Sequence, residues 1–174
     1  SDLASTEGCL AFASHLRDAG EAVHVLVNNA GATWGASFDE YPAHAWNRCM
    51  ELNVHAVFEL TRALTPDLVA SATADDPARV INIGSVDGIH VPATENSAYA
   101  ASKAAVHMLT RQLAHHTARD HSTVNQTAPG PVRSNMTAYG LAAGVGGDTA
   151  ARAVPVRPLR SAPAPPGPAP LRAA

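Results

Sequence analysis

The chain has 174 residues and a formal net charge of −3. That is long enough for one domain with a sizeable core, and it offers no electrostatic footprint for nucleic acid or an anionic membrane. The two cysteines, Cys9 and Cys49, read as reduced thiols of a cytoplasmic protein, and no apolar run reaches the ~18 residues of a membrane span.

No basic-then-apolar leader opens the chain, so no signal peptide is expected. The nine histidines are scattered without a carboxylate or thiolate at ligand spacing, so no metal is expected either.

Residues 5 to 19 have helical character: Ser5 or Thr6 caps, Leu10, Ala13 and Leu16 share a face, and Gly20 stops the run. His24 to Val27 is a short apolar run that suits a parallel strand buried on both faces, and it ends in Asn28-Asn29-Ala30-Gly31. Small residues just past a strand end let backbone approach a flat ligand. Residues 43 to 72 repeat apolar side chains at helical spacing: Trp46, Met50, Val54, Val57, Leu64 and Leu68, with Pro66 expected to kink or restart the helix. Asn53 falls on that stripe. A buried carboxamide needs partners, so it is either a satisfied core residue or one with a task.

The run from Arg79 to Gly84 is rich in β-branched residues and delivers Ser85 at a strand end. A loop follows, then a helix from near Ser97 to about 118, with Ala105, Leu109 and Leu113 facing inward. His115, His116, Arg119 and His121 crowd its C-terminal end, where positive charge suits the helix dipole. Ser122 opens a third strand ending at Pro129-Gly130-Pro131. Helix and strand alternate, so the fold class is α/β with a doubly wound parallel sheet of the Rossmann type. Asn28 to Gly31, Ser85 and Pro129 to Val132 all fall at C-terminal strand ends, where such sheets bind ligands. Residues 1 to 150 read as one domain with a mobile Gly/Ala-rich loop at 138 to 148. Residues 151 to 174 read as a disordered Pro/Ala/Arg-rich tail.

Tyr99 and Lys103 are four apart on the last helix, which puts both on one face with Cβ atoms ~6 Å apart. An ammonium beside a phenol favours the phenolate and pulls its pKa down towards the range of an acid/base catalyst. The helix N-terminus adds to that pull. The Ser85 hydroxyl is a hydrogen-bond donor for the substrate oxygen that takes the proton. Tyr-x-x-x-Lys by itself equally describes a solvated helix pair.

Asn28-Asn-Ala-Gly31, Asn53, Ser85, Tyr99-x-x-x-Lys103 and Pro129-Gly130, in that order, resemble the short-chain dehydrogenase/reductase family. The wording around Ser85 and Tyr99 is most similar to its 3-oxoacyl-[acyl-carrier-protein] reductase-like members. The resemblance covers roughly residues 2 to 150. It implies Tyr99 as general acid/base, Lys103 lowering its pKa and holding the nicotinamide ribose, Ser85 orienting the carbonyl, and Asn53 positioning a relay water. It also implies cofactor contacts at Asp2 and Leu3 (adenine), at Asn28, Ala30 and Gly31 (ribose), and at Pro129, Gly130, Val132 and Ser134 (nicotinamide). The expected cofactor is NADP or NAD, NADP favoured, and the expected substrate is a small-molecule carbonyl or acyl thioester. A homo-oligomer through the helices at 43–72 and 98–118 is expected as well.

Against the family pattern, the glycine-rich phosphate loop, the first strands and the last strand are missing, Thr127 replaces an aliphatic residue, and the Ser85–Tyr99 spacing is one longer than usual. This leads us to expect a chain truncated at both ends, an apolar strand edge at Val25 to Val27, and weak dinucleotide binding by this chain alone. The alternative to an enzyme is a non-catalytic truncated or frameshifted remnant. A nucleotide-sensing regulatory domain ranks behind both, because such a domain would lack the Ser85, Tyr99 and Lys103 set.

Overall fold

In a computed structural model, helix α1 runs from Thr6 to Asp18. Ser5 caps it through a 3.0 Å bond from Gly8 N to its hydroxyl. Gly20, at φ 71°, closes it: its N–H donates to Arg17 O and that of Glu21 to Leu16 O. This paired closure needs a left-handed residue, which glycine supplies without Cβ strain. The structure describes residues 1–130, of which Ser1–Pro129 form one compact unit. The expected mobile loop, the tail and the 150/151 boundary lie outside the described residues.

Strand β1 (Val25–Asn28), helix α2 (Ala43–Met50), a π-helical segment (Glu51–His55) and helix α3 (Ala56–Ser71) follow. Then come β2 (Ala78–Ile83), α4 (Ser97–Thr117) and β3 (Ser122–Thr127). The strands pair in the order β1-β2-β3, all parallel, with Asn28 opposite Asn82 and Asn82 opposite Gln126.

The core sits between this sheet and helices on one of its faces. Cys9, Ala13, Leu60, Leu64 and Leu68 close over Leu26, Val80 and Val124, with Leu113 of α4 packed alongside. On β1 the burial alternates: Leu26 is 7% exposed, whereas Val25 and Val27 are 48% and 51% exposed. The expectation of a strand buried on both faces is therefore corrected among the described residues. The helices that pack on it all lie on the Leu26 side, and β1 is the sheet's edge.

Helix faces also differ from the sequence reading in detail. On α1 the buried stripe is Cys9, Phe12, Ala13 and Leu16, and Leu10 is turned to solvent. On α2 Trp46 is exposed while Ala45 and Cys49 are buried. On α4 the buried side chains are Ala98, Ser102, Lys103, Val106, His107, Thr110 and Thr117, with Ala105, Leu109 and Leu113 only half-buried. The break expected at Pro66 is elsewhere. Pro66 lies inside α3, and the departure from α-helical geometry is the π turn, where Ala56 N–H donates to Glu51 O.

Candidate active site

The end of β2 and the first turns of α4 build the site. Ser85 stands in extended backbone two residues past Ile83 and caps a short 3₁₀ turn, Val86–Gly88, its Oγ accepting from Asp87 N at 3.2 Å. Asn96, at the start of α4, donates to Asp87 Oδ2 at 2.9 Å. That bond ties the helix start to the Ser85 turn. Further amides of the segment are taken up by the β3 side: Gly84 N donates to Thr127 O and Val86 N to Pro129 O.

Tyr99 lies in the first turn of α4 and Lys103 one turn on, its Nζ 5.6 Å from the Tyr99 ring centroid. Lys103 is only 6% exposed and donates to the Ile83 carbonyl at 2.6 Å. Burial pushes the Tyr99 phenol up from its ordinary value; the Ser85 hydroxyl opposes this by hydrogen bonding, and the Asp87 charge adds to it. Burial likewise pulls the Lys103 ammonium down. The expected lowering of the Tyr99 pKa by Lys103 is thus corrected. The ammonium is hydrogen-bonded to a main-chain carbonyl, and loss of water around the phenol is the largest influence on its titration.

Asn53 sits in the π segment, 1% exposed. Its Oδ1 accepts from Ala32 N at 2.7 Å, and its Nδ2 donates to Ala32 O at 2.9 Å and to Ser102 Oγ at 2.8 Å. Ser102 Oγ in turn donates to Tyr99 O at 2.7 Å. The carboxamide therefore staples the loop after β1 to the helix that bears Tyr99 and Lys103. Gly31 is held against this staple, since a Cβ there would lie 3.2 Å from Asn53 Oδ1 and 3.9 Å from Lys103 Nζ.

Beneath the rim runs a buried polar row. Asn28 Nδ2 donates to Thr61 Oγ1 and Asn82 Oδ1, and Asn82 Nδ2 to Thr110 Oγ1, at 2.8 to 3.1 Å. The Asn28 side chain thus points into the structure, while Ala30 is exposed and Gly31 half-buried.

The structure brings Asn53, Ser85, Tyr99, Lys103 and Gly31 together. Pro129 lies exposed beyond β3 and Gly130 follows it. Val132 and Ser134 lie outside the described residues. Asp2 and Leu3 precede α1, where Asp2 Oδ1 accepts from Ala4 N and Leu3 packs on the core. The sequence reading missed Ser102, Asp87, Asn96 and His107. For His107 the signal was there, four residues beyond Lys103.

Residues 1–143 match the family profile described as short chain dehydrogenase. The chain belongs to the short-chain dehydrogenase family. It is 45% identical over 138 residues to the Pseudomonas aeruginosa rhamnolipids biosynthesis 3-oxoacyl-[acyl-carrier-protein] reductase, covering 79% of this chain and 54% of that protein. It is 38% identical over 115 residues to the Escherichia coli 5-keto-D-gluconate 5-reductase, 66% of this chain and 43% of that one. Among solved structures, the Pseudomonas aeruginosa RhlG/NADP active-site complex superposes with a TM-score of 0.77 at 45% identity, over 80% of this chain and 54% of its own. A Burkholderia cenocepacia gluconate 5-dehydrogenase in complex with NADP and tartrate gives a TM-score of 0.73 at 28% identity, over 81% of this chain and 53% of its own. This short-chain dehydrogenase chain therefore spans about half the length of the relatives it matches. No helix among its described residues is long and apolar enough to cross a membrane.

Proposed function

We propose that this short-chain dehydrogenase is an NADP(H)-dependent reductase that interconverts a small-molecule carbonyl, a 3-oxoacyl thioester, and its secondary alcohol. One observation carries the reading: a phenol, an ammonium and a hydroxyl, from Tyr99, Lys103 and Ser85, converge at the C-terminal rim of a parallel sheet.

The residues present fit a nicotinamide ribose. Lys103 is buried and uses one of its three protons on Ile83 O, which leaves donors for hydroxyl groups. The Ala30-Gly31 backbone lies beside it, and Pro129, Gly130, Val132 and Ser134 would flank the nicotinamide, with Asp2 and Leu3 at the adenine. A reduced nicotinamide held there would supply the hydride for the carbonyl carbon. Ser85 Oγ accepts from Asp87 N, and its own proton, which faces the Tyr99 phenol in the ligand-free chain, would hold the carbonyl oxygen of a substrate placed between the two. Tyr99, kept protonated by burial, hands its phenolic proton to that oxygen as the alcohol forms, and the Ser85 and Lys103 groups face the phenolate left behind. Asn53 keeps Ala32 and Ser102 in place around Lys103 and positions a relay water. We further propose a cytoplasmic protein that self-associates through the groove between α3 and α4, where Met50, Val54, Phe58 and Leu109 meet. Residues 1–150 would form the catalytic domain and 151–174 the tail.

The test is NADPH oxidation with an acetoacetyl thioester, on this chain and on a chimera in which a relative's glycine-rich phosphate loop and first strands precede Ser1. Tyr99→Phe should lower kcat by about 10²–10⁴-fold, the usual worth of a general acid, while NADPH still binds. Undiminished turnover in that variant would overturn the assignment.

A further inference from the structure

Helix α4 presents Tyr99, Lys103 and His107 to the end of β2 at four-residue spacing, so all three lie in one row. The proposed chemistry uses the first two and leaves the third without a role. His107 is 7% exposed, and its Nε2 lies 2.9 Å from the Ser85 carbonyl oxygen. A carbonyl oxygen only accepts, so Nε2 carries the hydrogen. A neutral imidazole has a single N–H, which makes Nδ1 a bare acceptor. Nδ1 is buried and has no partner among the described residues, as fits a lone pair better than a second N–H, whose burial unpaired costs more.

The ring is also wedged. A Cβ on Gly84 would come 2.7 Å from His107 Cε1, and one on Gly88 would come 2.9 Å from Cδ2. The two glycines flank the Ser85 turn and let it close on the α4 backbone at Lys103 and Ala104 and on Thr127 O as well as on the imidazole, so the ring is held on both sides. The carbonyl it holds also closes the turn, accepting from Gly88 N at 3.1 Å. The β3 side fixes this segment through Gly84 N and Val86 N. From the helix side, Lys103 reaches Ile83 and His107 reaches Ser85 itself.

We propose that His107 is a positioning residue for the reaction. As the Nε2–H tautomer it fastens the Ser85 backbone to α4, so that the Ser85 hydroxyl and the Tyr99 phenol, carried by different elements, keep a fixed separation. The inference rests on the reading of Ser85 as the group that holds the substrate oxygen. A mere core filler would need only the ring's volume; a positioning residue needs the Nε2 donor.

The experiment uses the full chain. Long-range ¹H–¹⁵N correlations of the histidine rings are expected to show His107 with Nε2 protonated and Nδ1 bare; the opposite tautomer would overturn the proposal. Amide hydrogen exchange at Asp87 and Gly88 is then compared in His107→Gln, whose side-chain amide nitrogen can occupy the place of Nε2, and in His107→Phe, which keeps the bulk. Exchange should accelerate at least tenfold in the phenylalanine variant and stay near the original in the glutamine one. Equal exchange in the two would reduce His107 to packing. Should His107→Phe fail to fold, the tautomer and the glutamine variant decide the matter, because loss of protection in His107→Gln despite a retained donor would also refute it. In the phosphate-loop chimera, kcat should fall about tenfold or more in His107→Phe with KM for NADPH unchanged, and recover in His107→Gln. A chimera with no turnover at all, but with the expected tautomer and exchange, would sink the reductase reading and leave the His107–Ser85 anchor standing.

Discussion

The Lys103 ammonium donates to the carbonyl of Ile83 at 2.6 Å, two residues short of Ser85, while it lies 5.6 Å from the centroid of the Tyr99 ring. The pair is therefore an anchored cation beside a dehydrated phenol, which alters what titration should show.

Tyr99 should ionise above the ordinary tyrosine value in the ligand-free chain, because burial is the largest influence on it. Ultraviolet difference titration against Tyr99→Phe measures this, and Ser85→Ala should move the transition higher still, since that hydroxyl favours the phenolate. A raised folded pKa contributes stability that is full below the unfolded value of about 10 and is lost as pH rises through the folded value. Alkaline thermal melts of Tyr99→Phe should accordingly decline less steeply.

Lys103→Met should stabilise the ligand-free chain at neutral pH. A buried ammonium with one carbonyl for company is held at the expense of its hydration, and removal of the charge should contribute about 1–3 kcal/mol. Its depressed pKa fixes the sign: the penalty is present at neutral pH and relieved as pH rises towards the unfolded value. Denaturant midpoints at neutral and high pH would show a gap that closes at the higher pH.

Asn53→Leu would leave the half-buried Ala32 N–H without its acceptor, leave Ala32 O only the Cys49 thiol, and release the buried Ser102 hydroxyl. Unpaired buried groups of this kind cost about 1–3 kcal/mol each. We expect a loss on the order of 2–4 kcal/mol in urea unfolding, with faster amide exchange at Ala32.

Asn28 and Asn82 meet across the strand register inside the buried row. Replacing either by leucine should cost about 1–3 kcal/mol because the other loses its partner across the strands and keeps only its bond to Thr61 or Thr110. The double replacement should cost less than the sum by at least ~1 kcal/mol. Additive losses would mean that the two side chains are independent.

Arg17 grips Asp67 through both Nε and Nη2 at 2.6 to 3.1 Å. The bonds from Arg17 hold the Asp67 carboxyl below its ordinary value. A depressed folded pKa contributes stability above the unfolded value of about 3.9 and loses it as pH falls through the folded one. The melting temperature of Asp67→Asn should lie slightly below that of the original at pH 6 and merge with it in strong acid. High salt should shrink the difference, because the pair is near solvent.

The strands, helices and Tyr99–Lys103 face were legible because each rests on local spacing: β-branched runs for β2, a four-residue interval for Tyr99 and Lys103. Faces were read less well. Leu10 looked like core on α1 because it is apolar, yet Cys9 and Phe12 hold that side; one residue of phase is 100° of rotation, and apolarity alone does not set it. Pro66 drew attention as the break and fits its helix. The departure came at Asn53, where the demand of a carboxamide for partners on Ala32 and Ser102 overrides a continuous apolar stripe. The Tyr99 pKa was misjudged because a sequence shows which charges are near and hides how much water has gone. His107 was passed over as one of nine scattered histidines, although it continues the row set by Tyr99 and Lys103.

The π turn at Glu51–His55 amounts to one residue more than an α-helix needs for the same span. Deleting a single amino acid there would let α2 and α3 fuse into a regular helix. Because the wide turn already absorbs the extra residue, α2 and α3 would keep their faces, Cys49 and Ala45 inside and Trp46 outside, and the loss would fall on the bonds of Asn53 to Ala32 and Ser102. A one-residue deletion in the turn that spares Asn53 should therefore leave both helices folded, and its damage should be read at Ala32 and Ser102 rather than in the packing of α2.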